Sequence, residues 1–252
     1  MLPRDSFPAA LSAYSRRSPW GTLAFLFSAW LLFDLAPILL QRLFARIAPF
    51  CSPDALSAAA RWFSFLLFLL WLPLWLRLAR RPLSTLRPRF PKADALKAVF
   101  LSLALFLAFS VPWNLLLAAT GVPVSERTSI DYVQTILASS RPIALLLFAY
   151  PLLAAPLFEE ILFRGALLAW MARIIPAGDA PSRVLRTAAA VALLVPAVLF
   201  AALHAFPLEI PPLVFLALLL SRLAVRHGLL SAVLLHLLYN LLTLAALLLL
   251  PA

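Results

Sequence analysis

The chain has 252 residues, of which 64% are hydrophobic and only 12% charged, with a formal net charge of +11 and a mean hydropathy of +1.00. A soluble domain is about half apolar and about a quarter charged, so this composition excludes a large soluble core and implies one polytopic membrane domain. The single cysteine, Cys51, rules out an internal disulfide and a thiolate-rich metal cluster. The basic residues gather at the ends of apolar runs rather than in a stripe with interleaved aromatics, which argues against nucleic-acid binding.

Residues 1–18 carry Arg4, Arg16 and Arg17 and lead into an apolar run. That run is too long for a signal-peptide core and no Ala-x-Ala site follows it, so it reads as a membrane anchor. Apolar segments lie at roughly 20–41, 58–76, 98–119, 142–170, 187–206, 211–225 and 229–250. They predict an all-α bundle of about seven transmembrane helices, with six to eight allowed because the segment at 211–225 is short. Between the second and third segments, residues 77–97 form the most basic stretch, an orientation signal facing anionic headgroups. Residues 128–139 place Val133 and Ile136/Leu137 at helical spacing after a capping Thr128, which predicts a short interfacial helix.

If the N-terminus is cytoplasmic, sixteen of the 21 Lys and Arg fall on the inner side, as the positive-inside bias requires. Many of the 22 prolines lie in or beside apolar runs. Membrane helices tolerate them there because neighbouring helices or waters satisfy the freed carbonyls. No internal repeat is evident, which weakens an inverted-repeat transporter reading.

Six polar side chains are embedded in these segments: Glu159, Glu160 and Arg164 in LFEEILFRGAL, His204 in VLFAALHAF, and His236 and Asn240 in LLHLLYNLL. Ionisable groups in hydrocarbon are costly and generally face a partner or a wet cavity. Neighbouring helical residues project about 100° apart, so Glu159 and Glu160 cannot point the same way. Glu160 and Arg164 share a face at i, i+4 and read as a buried ion pair. Glu159 is then free to act as general base toward a water. His236 and Asn240, also i, i+4, can both donate toward a developing oxyanion. His204 stands alone on its segment, and an isolated histidine is more often a satisfied core residue.

Zinc is a competing use, with Glu160, His204 and His236 as its ligands, although no His-Glu-x-x-His is present. A proton-coupled relay is another. Asp34, inside the first segment, reads as a capped or snorkelling residue, His227 as a mark of the cytoplasmic boundary, Asn114 and Glu209 as residues solvated near segment ends, and Trp20, Trp62 and Trp170 as interface anchors.

The three stretches match Glu-Glu-x-x-x-Arg, Phe-x-x-x-His (Phe200 to His204) and His-x-x-x-Asn, in that order. The chain thereby resembles the CAAX protease and bacteriocin-processing family, which includes the type II CAAX prenyl endopeptidases. The resemblance covers about 140–250, which divides the protein into N-terminal helices and basic loop (1–139) and a catalytic core (140–252). It implies an intramembrane glutamate-type peptidase acting on a membrane-bound or lipidated peptide. In that scheme Glu159 and His204 activate the water, His236 and Asn240 hold the oxyanion, and Glu160 with Arg164 supports the site. No cofactor is expected, although the family was long labelled metal-dependent and zinc is inherited as an alternative. A non-catalytic immunity or scaffolding role within the same family is the other alternative. The Arg-rich, Lys-poor chain suggests a bacterial inner membrane with the N-terminus in the cytoplasm.

One tension is visible at this level. The segment boundaries place Glu159 toward the inner end of its span and His204 toward the outer end of its own.

Overall fold

Long apolar runs with only five glycines leave the backbone one way to satisfy its polar groups inside a bilayer, the α-helix. The computed structural model describes residues 19–78, 92–122, 130–175, 181–204 and 207–249. The expectations for residues 1–18, for most of the basic loop 77–97 and for Thr128 lie outside the described residues, as do the side chains of Trp20 and Asp34.

Among the described residues there is no strand. Helix α1 runs from 19 to 47 as Pro19–Trp30, a π-type turn at Leu31–Leu35, and Ala36–Ile47. It is followed by α2 (Pro53–Leu78), α3 (Ala93–Ala119) and the short α4 (Ile130–Ala138). Helix α5 spans Arg141–Met171, α6 Ser182–Ala202, α7 Ile210–His227 and α8 Leu229–Leu248. Gly228 alone separates α7 from α8, with φ +93, a left-handed backbone that a residue bearing a Cβ rarely adopts.

Six of these helices are long and apolar enough to cross a membrane: α2, α3, α5, α6, α7 and α8. Many of their large side chains are exposed, including Leu101, Leu115 and Leu145, as a lipid-facing bundle requires. The protein is an integral membrane helix bundle with six such spans among the described residues, within the six to eight that the sequence allowed. The first expected span, 20–41, is helical, and its side chains at 20–24 and 33–34 lie outside the described residues. The second half of α1 carries Gln41, Arg42 and Arg46 and buries no side chain. Conversely, the segment judged short at 211–225 belongs to a 21-residue span, Pro207–His227. Residues 128–139 do contain a short helix, α4, with Val133 and Ile136 buried and Leu137 exposed.

Helix α7 packs against α6, α8 and α3, while α5 packs against α8, α6, α2 and the first half of α1. Their shared core includes Phe25, Phe68, Phe158, Phe200, Leu216 and Leu235. Phe68 meets Phe158 edge-on with ring centroids 4.7 Å apart, locking α2 to α5 just ahead of the two glutamates.

The prolines act on this bundle through the carbonyls they free. Pro151 has no N–H for Leu147 four residues earlier, and the Tyr132 hydroxyl of α4 donates to the Leu147 carbonyl instead. Burial pushes the Tyr132 phenol up to about 12, against an opposing pull from Arg61, so it stays a donor at any physiological pH. Pro212 likewise frees the Leu208 carbonyl, which accepts from the Trp113 indole of α3 at 2.8 Å. Each proline thus creates an acceptor, and a neighbouring helix docks a donor on it.

Candidate active site

Helix α5 is irregular on both sides of the Glu159–Glu160 pair. A π-type turn occupies Tyr150–Ala154 and a longer one Ile161–Leu168, a departure that recurs at functional sites. Between them, Ala155–Glu160 is regular α-helix, and its two carboxylates diverge as the helical repeat demands. Glu160 is fully buried, whereas Glu159 retains 17% exposure and lines a cavity.

The Glu160 Oε1 atom accepts two hydrogen bonds, from Arg164 Nη1 at 2.8 Å and from His236 Nδ1 at 2.9 Å. Arg164 Nη2 also donates to the Ala217 carbonyl of α7 at 3.2 Å. The guanidinium carbon lies 4.6 Å from the centroid of the Phe200 ring, a cation–π placement in a water-poor setting. One buried cluster therefore ties α5, α6, α7 and α8 together.

His204 follows the end of α6. Its Nδ1 lies 2.8 Å from the Phe200 carbonyl, and its Nε2 4.0 Å from Glu159 Oε2. His236 is nearly fully buried, with Nε2 3.7 Å from the same oxygen. The partner of each Nδ1, a carbonyl or a carboxylate, can only accept, so Nδ1 carries the hydrogen in both rings. Both Nε2 atoms are thus presented to Glu159. Phe200 sits beside the two rings, its centroid 4.6 Å from that of His204 and 5.7 Å from that of His236. Glu159 Oε2 accepts no hydrogen bond among the described residues. The 3.7 and 4.0 Å separations are too long for direct hydrogen bonds.

The mismatch in depth suggested by the segment boundaries is therefore not found. Helix α5 runs on to Met171 and α6 starts at Ser182, earlier than the hydropathy suggested, so the pair has the length to bring His204 level with Glu159.

Asn240 has a partner that the sequence did not foresee: its Nδ2 donates to the Pro151 carbonyl at 2.7 Å, while His236 Nδ1 is held by Glu160. Of the residues named for zinc, Glu160 engages its Oε1 with the Arg164 guanidinium and the His236 Nδ1–H.

The cavity beside Glu159 has a volume of about 450 Å³ and is also lined by His204, His236, Asn240 and Tyr132, with Leu103, Phe106 and Leu213 among its apolar walls. Asn114 and Glu209, read from sequence as solvated at segment ends, line it as well. Phe200 was visible only as part of the Phe-x-x-x-His spacing, which places its ring one turn from His204. Trp62, assigned to the interface, donates from its indole to the Leu146 carbonyl at 3.0 Å and braces α2 against α5.

Residues 141–242 match the family described as type II CAAX prenyl endopeptidase Rce1-like. This region belongs to the CAAX protease family. The matched segment begins at the first residue of α5, ends two residues beyond Asn240, and contains all six polar residues, while α1 to α4 lie outside it. No curated protein and no solved structure matches the chain. For a CAAX protease, membership implies peptidase activity in general, on a substrate held at the membrane.

Proposed function

We propose that the protein is a glutamate-type intramembrane endopeptidase that cleaves a membrane-bound, lipidated peptide, with a prenylated CAAX tail as the substrate its family name points to. One observation carries this reading. The partly exposed Glu159 side chain lines a 450 Å³ cavity, and its buried Oε2 atom, which accepts no hydrogen bond among the described residues, has two imidazole Nε2 atoms 3.7 and 4.0 Å away.

In this mechanism a water lies between Glu159 and His204 and gives a proton to the Glu159 carboxylate as its oxygen attacks the scissile carbonyl carbon. The carbonyl oxygen becomes an oxyanion, and the imidazolium form of His236 donates to it from Nε2. Glu160, held by Arg164, stabilises that imidazolium through Nδ1, as a buried carboxylate does behind a catalytic histidine. Collapse of the tetrahedral intermediate breaks the C–N bond, and the proton held by Glu159 passes to the departing amine. The products are a carboxylate and an amine, and no metal is used. The arginine distribution supports a cytoplasmic N-terminus in a bacterial inner membrane.

The test is cleavage of a fluorescence-quenched, farnesylated CAAX peptide by the protein in liposomes, with EDTA present throughout. Wild type should cleave it, and His204→Ala should be slower by about 100-fold or more. Undiminished cleavage by His204→Ala would remove the histidine from the reaction.

A further inference from the structure

The cavity beside Glu159 carries polar groups that the proposed reaction does not use. Ser110 and Asn114 of α3 line it, as does Glu209, the residue just ahead of α7. Asn114 Nδ2 donates to the Ser110 carbonyl one turn earlier, at 3.2 Å. The chain neighbours of Asn114 and Glu209 are joined directly, since the Trp113 indole donates to the Leu208 carbonyl at 2.8 Å. That bond clamps α3 to the segment leading into α7 and holds Asn114 and Glu209 at one level of the bundle.

An acid at this place has an ordinary structural use, which Glu209 does not take. It is the N-cap residue of α7, yet its side chain makes no capping hydrogen bond. It is half-buried and lines the cavity instead. Among the described residues, the carboxylates lining that cavity are Glu159 and Glu209, and no Lys or Arg lines it. Both carboxylates act electrostatically on the Tyr239 hydroxyl, which bonds to Thr243 and faces the same space, so they share one compartment. Phe106 and Leu213 are among its apolar walls, and in such a setting charges are poorly screened.

We infer that Glu209, with the Asn114 amide nearby, is a specificity-determining residue that takes the cationic side chain of a Lys or Arg near the scissile bond of the substrate peptide. This rests on the hydrolytic reading of the site. A carboxylate accepts more than one donor, so Glu209 can hold a substrate cation and keep its contacts within the fold. The Asn114 carbonyl oxygen supplies a neutral acceptor for the same group. An acidic residue at that substrate position would meet Glu209 as a like charge and be rejected.

The test uses farnesylated CAAX peptides that differ in one residue, Lys, Gln or Glu, placed in turn at each position flanking the scissile bond. The liposomes are neutral phosphatidylcholine, so that attraction of basic peptides to an anionic membrane plays no part. At one position at least, wild type should favour Lys over Glu by about tenfold or more in kcat/KM, the scale of one charge-assisted hydrogen bond. Glu209→Gln should bring that ratio below about threefold, Glu209→Asp should keep it, and Glu209→Lys should reverse it. A merely structural role would change the rates for all three peptides alike.

A wild type indifferent to charge at every position, or a Lys preference that survives in Glu209→Gln, would overturn the inference. If Glu209→Lys does not fold, the near-isosteric Gln variant decides. If wild type cleaves nothing, the hydrolytic reading fails and the peptides become stable ligands. Their binding to wild type and to Glu209→Gln, read by fluorescence polarisation, then tests the subsite by itself. A Lys preference lost in Glu209→Gln would keep the subsite, and equal binding of all three peptides to wild type would remove it.

Discussion

Glu159→Gln should lower the rate of peptide cleavage by about 10²–10⁴-fold, the range general-base catalysis supplies. The amide matches the carboxylate in shape but cannot take a proton from water. The variant should nonetheless insert and fold like wild type. Glu159 Oε2 accepts no hydrogen bond among the described residues, and the neighbouring imidazoles at 3.7 and 4.0 Å are too distant to hold it directly. Matched melting temperatures with a collapsed rate, measured in the same proteoliposome preparation, would separate chemistry from stability. A variant that cleaves at the wild-type rate would remove Glu159 from the mechanism.

The second large effect concerns stability. Arg164→Met should destabilise the protein by about 3–5 kcal/mol, because it strands the Glu160 carboxylate in the bundle interior with only His236 Nδ1 as donor. Both partners are essentially inaccessible, so solvent cannot screen the charge that remains. The double variant Arg164→Met with Glu160→Gln should recover much of that loss, since it removes the stranded charge along with its partner. The double variant should still be slow, because the imidazolium of His236 then lacks its carboxylate. Unfolding in detergent, followed by circular dichroism, checks the first statement, and the peptide assay the second. An Arg164→Met protein as stable as wild type would mean the pair holds nothing in place.

These expectations differ in how far the sequence alone could carry them. The Glu160–Arg164 pair was legible because a spacing of four residues puts both side chains on one helical face whatever else the fold does. The spans were legible for a similar reason, since hydropathy and helical rise fix their length. Six of the expected segments correspond to such helices among the described residues.

The contact that Asn240 makes was hidden for a different reason. Its spacing from His236 suggested a shared target, but its partner lies on another helix, created by the absence of an N–H at Pro156 and the turn at Tyr150–Ala154. Proline positions could be read, and the carbonyls they free could be anticipated. The donors that satisfy them could not, because Tyr132, Trp113 and Asn240 reach their acceptors only through tertiary packing. That Glu209 and Asn114 line the cavity was hidden on the same ground. Closeness to a segment end says nothing about which side of the helix faces a cavity.

The most direct measurement is a single-turnover reaction in oxygen-18 water, with protein in excess over a farnesylated CAAX peptide in liposomes and the cleavage products weighed by mass spectrometry. If water activated beside Glu159 attacks the scissile carbonyl, the new C-terminal carboxylate should carry one labelled oxygen, and the Glu159→Gln protein should yield almost no product in the same interval. An intact peptide with the wild-type protein, or a labelled product formed equally by Glu159→Gln, would contradict the account.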